Sequence, residues 1–172
     1  MRTMTTIAVT FLVAWIFAMP MSWAQPHDDK ERAELAKALK AVKTPLQQGV
    51  KASAKEGTPI SAKYEVEHDT LQLSVYTMKS DKFSEVIVDH KTRKIAKAEP
   101  ITNSDDLTKA KAQSEAMAKA KRSIDAAASE AVKENKGFRA VSVTPALKDG
   151  HPVAEVVLVK GTEWKTVSEK LD

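Results

Sequence analysis

Four histidines, 23 acidic side chains and no cysteine make up the reactive inventory of this 172-residue chain. Metal binding needs several ligands at fixed spacing, and covalent catalysis needs a nucleophile within reach of a base. His27, His68, His90 and His151 each stand alone, with no second histidine at ligand spacing. His68, His90 and His151 fall in or beside expected turns, where an imidazole is solvated. His27 would be the third residue, after Gln25-Pro26, of a chain cut after Ala24. A histidine in third place clasps copper or nickel only through deprotonated backbone amides, and Pro26 has no N–H to lose. There is neither a Gly-x-Ser-x-Gly elbow nor a His-Glu-x-x-His zinc helix. The neighbours His68-Asp69 and Asp89-His90 lie at strand ends, where adjacent side chains point apart. Asp28-Asp29 and Asp105-Asp106 open helices, where capping accounts for them. The expectation is a non-enzyme with no catalytic residues, no metal site and no cofactor.

Binding residues come next. Lys109, Lys111, Lys119, Lys121, Arg122 and Lys133 are interleaved with Glu115, Asp125, Glu130 and Glu134. That mixture reads as a solvated helix face rather than a nucleic-acid or membrane footprint. Tyr64, Tyr76, Phe83 and Trp164 are expected in the core. Lys63, Glu65, Gln72 and Ser74 alternate with apolar strand residues, so they face away from the helix and form a candidate contact surface. Capture of an extended peptide on a sheet edge is a further mode.

The amino-terminal segment sets the compartment. Arg2, an uncharged apolar run from Ile7 to Phe17, Pro20 and then Ser22-Trp23-Ala24 have the layout of a secretory signal peptide. The run is shorter than the about 20 residues a membrane span needs. Cleavage near Ala24 leaves residues 25–172 as a periplasmic or secreted protein with no membrane span. Without cysteine, its stability must come from packing.

Two stretches position these residues. Asp28 to Lys43 reads as a helix with Leu35, Leu39 and Val42 on one face. Thr44-Pro45-Leu46-Gln47 then predicts a new helix, Thr44 as N-cap and Gln47 reaching back as in a capping box. Gly57 is expected to end it in a left-handed turn. From Ile60 the apolar period becomes two, predicting strands at Ile60–Glu67, from Leu71, and at Phe83–Asp89, with an edge strand near Lys94–Ala98. A polar linker at 100–106 follows, with Asn103 and Ser104 as caps. A long Ala- and Lys-rich helix is expected from Leu107 to Glu134, ended at Asn135-Lys136-Gly137. Strands around Val141–Val143, Val153–Val159 and Trp164–Val167 complete the pattern, joined through Lys148-Asp149-Gly150 and Lys160-Gly161-Thr162.

The second stretch repeats the first. An offset of 78 residues lays Leu46 on Ile124 and Lys55 on Lys133, and an offset of 81 lays Val75 on Val156, Phe83 on Trp164 and Val86 on Val167. Residues 1–24 thus read as a signal peptide, 25–99 as a first unit, 100–106 as a linker and 107–172 as a second unit. The fold class is α+β: each unit a helix, with a preceding helix, packed on a small antiparallel sheet.

Thr44-Pro45-Leu46-Gln47-Gln48-Gly49-Val50, Ile60 to Val66, Leu71 to Tyr76 and Val86-Ile87-Val88-Asp89-His90-Lys91-Thr92-Arg93-Lys94-Ile95 resemble the PepSY domain, a small module of bacterial envelope proteins. The last stretch is similar to that family's Asp-x-x-Thr-Gly-Lys-Val, with Arg93 in the glycine's place. Gly137 to Val143, Pro152 to Leu158 and Trp164 to Val167 fit the same strands in the second unit, which lacks the family's final turn and edge strand. The resemblance implies a non-catalytic binding or inhibitory role toward a protein partner in the cell envelope, a secreted or periplasmic peptidase among the candidates. The alternatives are a structural or chaperone-like envelope protein and, more remotely, a carrier of a metal or small ligand.

Overall fold

The computed structural model describes residues 29–172; the expected signal peptide, Asp28 and His27 lie outside them. Helices α1 (Asp29–Leu39) and α2 (Leu46–Ser53) lead into strands β1 (Thr58–Glu67), β2 (Thr70–Lys79), β3 (Lys82–Val88) and β4 (Ile95–Pro100). The order then recurs: α3 (Ser104–Lys119) and α4 (Ile124–Glu134) lead into β5 (Arg139–Lys148), β6 (His151–Lys160) and β7 (Glu163–Lys170). The class is α+β, as the alternating patterns predict.

All seven strands join one antiparallel sheet in the order β4-β3-β2-β1-β5-β6-β7. Two-residue turns fix the register of its hairpins. His68 and Asp69 (φ 48° and 59°), Ser80 and Asp81 (49° and 61°), and Asp149 and Gly150 (52° and 81°) all adopt the left-handed backbone that such turns demand.

The repeat extends to irregularities. β5 and β6 begin 81 residues after β1 and β2, and α4 begins 78 residues after α2. The β1–β2 ladder shifts register between Pro59 and Ser61, and the β5–β6 ladder shifts between the matching Ala140 and Ser142. Where the halves meet, Ala62 pairs with Val143, its own counterpart, so an internal two-fold axis passes between them.

One face of the sheet carries α2 and α4 side by side. Gln47 Nε2 donates to the Ala128 carbonyl at 3.1 Å, and Lys51 lies 3.7 Å from Asp125. Beneath them Leu46, Val50, Ile124, Ala127, Ala128 and Ala131 pack on Leu73, Val75, Val86, Val143 and Val156. Gly49 permits the approach: a Cβ there would stand 2.1 Å from Leu73 Cδ2.

The first helix of each half reaches across the axis. Ala110 of α3 is buried with Ile60 and Tyr76 of the first half, and Tyr76 lies on the face opposite Leu73 and Val75. In return, Arg139 of β5 donates from Nη1 to the Leu39 carbonyl at 2.6 Å and from Nη2 to Val42 at 3.3 Å, closing the end of α1. The Arg32 guanidinium of α1 lies 5.9 Å from the Trp164 ring centre.

Three local expectations are corrected. The helix expected over Leu107–Glu134 is two: Ala120 and Ser123 are extended, and the Lys121 and Arg122 amides donate to the Leu171 carbonyl at 2.7 and 3.1 Å. A tertiary acceptor, not a local breaker, ends α3. The Thr44–Gln47 capping box does not form, because both side chains have remote partners: Thr44 Oγ1 donates to the His90 carbonyl at 2.6 Å, and Gln47 crosses to α4. Helix α2 is instead preceded by Pro45 with no side-chain cap. Gly57 is not left-handed; its site requires glycine for space, since a Cβ would meet the Met78 carbonyl oxygen at 2.8 Å. Gly137 does take the left-handed form, φ 87°, and Asn103 Oδ1 caps α3 by accepting from Asp105 and Asp106 at 2.9 and 3.2 Å.

Candidate interaction face

Lys63, Glu65, Gln72 and Ser74 come together. On β1 and β2, Lys63 stands opposite Ser74 and Glu65 opposite Gln72, all on the face away from α2 and α4. Lys63 Nζ lies 2.5 Å from Glu65 Oε2, and Gln72 Nε2 donates to Glu67 Oε2 at 2.6 Å. The buried Ser74 hydroxyl donates to the Glu85 carboxylate on β3. Lys63 also opposes Ser142 of β5, so the polar strip runs from β3 across the two-fold axis.

Glu67 shares the period-two face of Lys63 and Glu65, and Tyr76 is buried as expected, but sequence reasoning overlooked Glu85. The Ser80-Asp81 turn held the signal, because a two-residue loop sets Glu85 opposite Tyr76. The strip is acidic: Lys63 shares it with Glu65, Glu67 and Glu85. Burial raises the Glu65 carboxyl above its ordinary range, Lys63 opposes that rise, and Glu85 and Glu67 add to it. Burial also raises the Tyr76 phenol, with Glu85, Asp106 of α3 and Glu65 adding to the effect. Ser74, Ser142 and Tyr76 are buried, with Ala110 of α3 packed on Tyr76, so the part of the strip open to a partner is half-buried Lys63, Glu65, Gln72 and Glu85, suited to one that offers donors or cations.

The other candidates stay apart. His68 is exposed in its turn, His90 is half-buried after β3, and exposed His151 pairs through Nδ1 with Asp172 Oδ2 at 3.0 Å. Among the described residues no three His, Asp or Glu side chains are grouped to hold a metal. The helix cations are largely occupied: Lys109 with Asp106 at 3.3 Å, Lys133 with Glu130 at 3.2 Å, and Arg122 Nη1 with the Lys170 carbonyl at 2.9 Å. Tyr64 and Tyr76 are buried, while Phe83 and Trp164 are half-buried at the core margin. No described helix is long and apolar enough to cross a membrane. Compared with protein-family models, curated proteins and solved structures, the chain shows no match.

Proposed function

We propose that this chain is an exported, non-catalytic PepSY-like protein that binds a protein partner in the cell envelope and restrains a secreted or periplasmic peptidase. The observation that supports the reading is the in-register strip of half-buried Lys63, Glu65, Gln72 and Glu85, held from beneath by the buried Ser74 hydroxyl. β1 and β2 beneath it are central strands paired on both sides, and a framework ordered before docking lowers the entropy cost of binding.

The test adds the purified protein to the secreted and periplasmic peptidases of the producing cell and follows substrate cleavage. At least one peptidase should slow. Glu65→Lys and Glu85→Lys should relieve that slowing while leaving the circular dichroism spectrum unchanged. Cleavage at unaltered rates throughout would sink the proposal.

A further inference from the structure

Among the described residues β4 and β7 are the two edges of the sheet, and they differ. β4 has six residues, ends in Pro100 and pairs with β3 through a register shift. Short length, proline and irregularity blunt an edge against further pairing. β7 has eight residues and no proline, and pairs with β6 without a shift from Lys160↔Glu163 to Val153↔Lys170. The internal repeat sharpens the contrast: β7 holds the place of β3, and the outer side of β3 carries β4.

The polarity of that edge follows from one bond. The Leu171 N–H donates to the Pro152 carbonyl at 3.0 Å, extending the β6–β7 ladder. Antiparallel alternation then turns the main-chain groups of odd-numbered β7 residues toward β6, and those of Trp164, Thr166, Ser168 and Lys170 outward. The Lys170 carbonyl already accepts from Arg122, and its second lone pair remains for a strand.

We propose that two copies of this chain pair β7 to β7, antiparallel about a two-fold axis at Val167. Outward groups must oppose outward groups, so the axis must pass through a residue and not between two. Centred on Val167, the register sets Lys165 opposite Glu169 twice and Thr166 opposite Ser168 twice. Centred on Thr166 it sets Glu163 against Glu169; centred on Lys165 it sets that lysine against itself. Centred on Ser168 it leaves Lys165 and Glu169 opposite apolar residues. Centred on Trp164 it joins Lys165 to Glu163, but only three residues of each strand then overlap, against seven for the Val167 axis, which alone joins opposite charges along the length of the strand. Burial raises the Glu169 carboxyl above its ordinary range, Glu134 and Glu130 of α4 add to the rise and Arg122 opposes it, so the second copy's Lys165 adds a further cation on the side of Arg122. Lys165 itself is oriented on that side of the sheet by donating to Asn135 Oδ1 at 2.5 Å. This inference is independent of the proposed peptidase partner.

Sedimentation equilibrium on the protein as cells produce it, its amino terminus established by mass spectrometry, tests the pairing. A reversible dimer that weakens with salt is expected. Lys165→Glu and Glu169→Lys should each raise the dissociation constant by about tenfold to a hundredfold. Their equimolar mixture should regain wild-type association, because every junction then opposes an acid and a base. Ser168→Pro removes an outward N–H and no β6 bond, so it should abolish dimers while far-UV circular dichroism is retained. A wild-type monomer at every attainable concentration overturns the inference. So does a dimer that both charge reversals and Ser168→Pro leave unchanged. A monomer whose β7 amides gain protection only when another envelope protein is added assigns the edge to a foreign strand, and overturns it too.

Discussion

Gln113 of α3 offers a quantitative probe of how the two halves are built. It is 2% exposed, and neither Nε2 nor Oε1 has a hydrogen-bond partner among the described residues. A buried polar group without a partner costs about 1–3 kcal/mol. The internal repeat names the replacement: 78 residues earlier the matching position is Leu35, buried in the core. Gln113→Leu removes the desolvated amide, keeps a side chain of comparable length and preserves helix propensity. Imperfect fit takes back up to about 1.5 kcal/mol. The net expectation is a stabilisation of about 1–2 kcal/mol. Urea unfolding followed by far-UV circular dichroism reads it as a higher midpoint at unchanged slope. Gln113→Ala is the control, since it deletes the amide but opens a void that offsets the gain. If Gln113→Leu lowers the midpoint as much as Gln113→Ala, the amide is satisfied in solution and the reasoning fails.

Other substitutions address the joints of the fold. Arg139→Ala should cost about 2–3 kcal/mol, the range for hydrogen bonds from a charged donor, and amide exchange should quicken in α1 before the sheet. Gly49→Ala forces a methyl into Leu73 and should cost about 1–3 kcal/mol in the same urea assay. Burial, opposed by Arg139, pushes the Tyr64 phenol up to about 12 from 10.0. Folding therefore favours the protonated phenol: its contribution is complete below pH 10 and is lost as pH rises to about 12. Stability measured against pH should fall by about 2–3 kcal/mol over that window. Tyr64→Phe should show a shallower alkaline loss from a baseline lowered by about 1 kcal/mol, since the bond to the Thr44 carbonyl is gone.

The strands were legible because alternation and turn residues act locally. Ala62 to Val66, the Asp149-Gly150 turn and the four polar residues of the candidate face all lie where period-two reasoning sets them. The bulge between Pro59 and Ser61, by contrast, turns Ile60 to the other face, beside Tyr76 and Ala110. What escaped was decided by distant atoms. Nothing near Ala120 breaks a helix; the Leu171 carbonyl, remote in sequence, does so. Thr44 has the right type for an N-cap, yet a turn on β3 claims its hydroxyl. Glu85 joined the candidate face through cross-strand register and a side-chain bond, which no single segment displays. The merging of two small sheets into one rests on the Ala62–Val143 pair, and two separate alternating strands carry no mark of mutual pairing.

The contacts that the first helices make across the axis bear on how such a chain comes into being. A nascent polypeptide that has reached only β4 still lacks Ala110 to cover Ile60 and Tyr76, and Arg139 to close α1. Its early half must wait, with apolar surface bare, until later residues emerge. Such an architecture ties completion of the early half's core to synthesis of the late one.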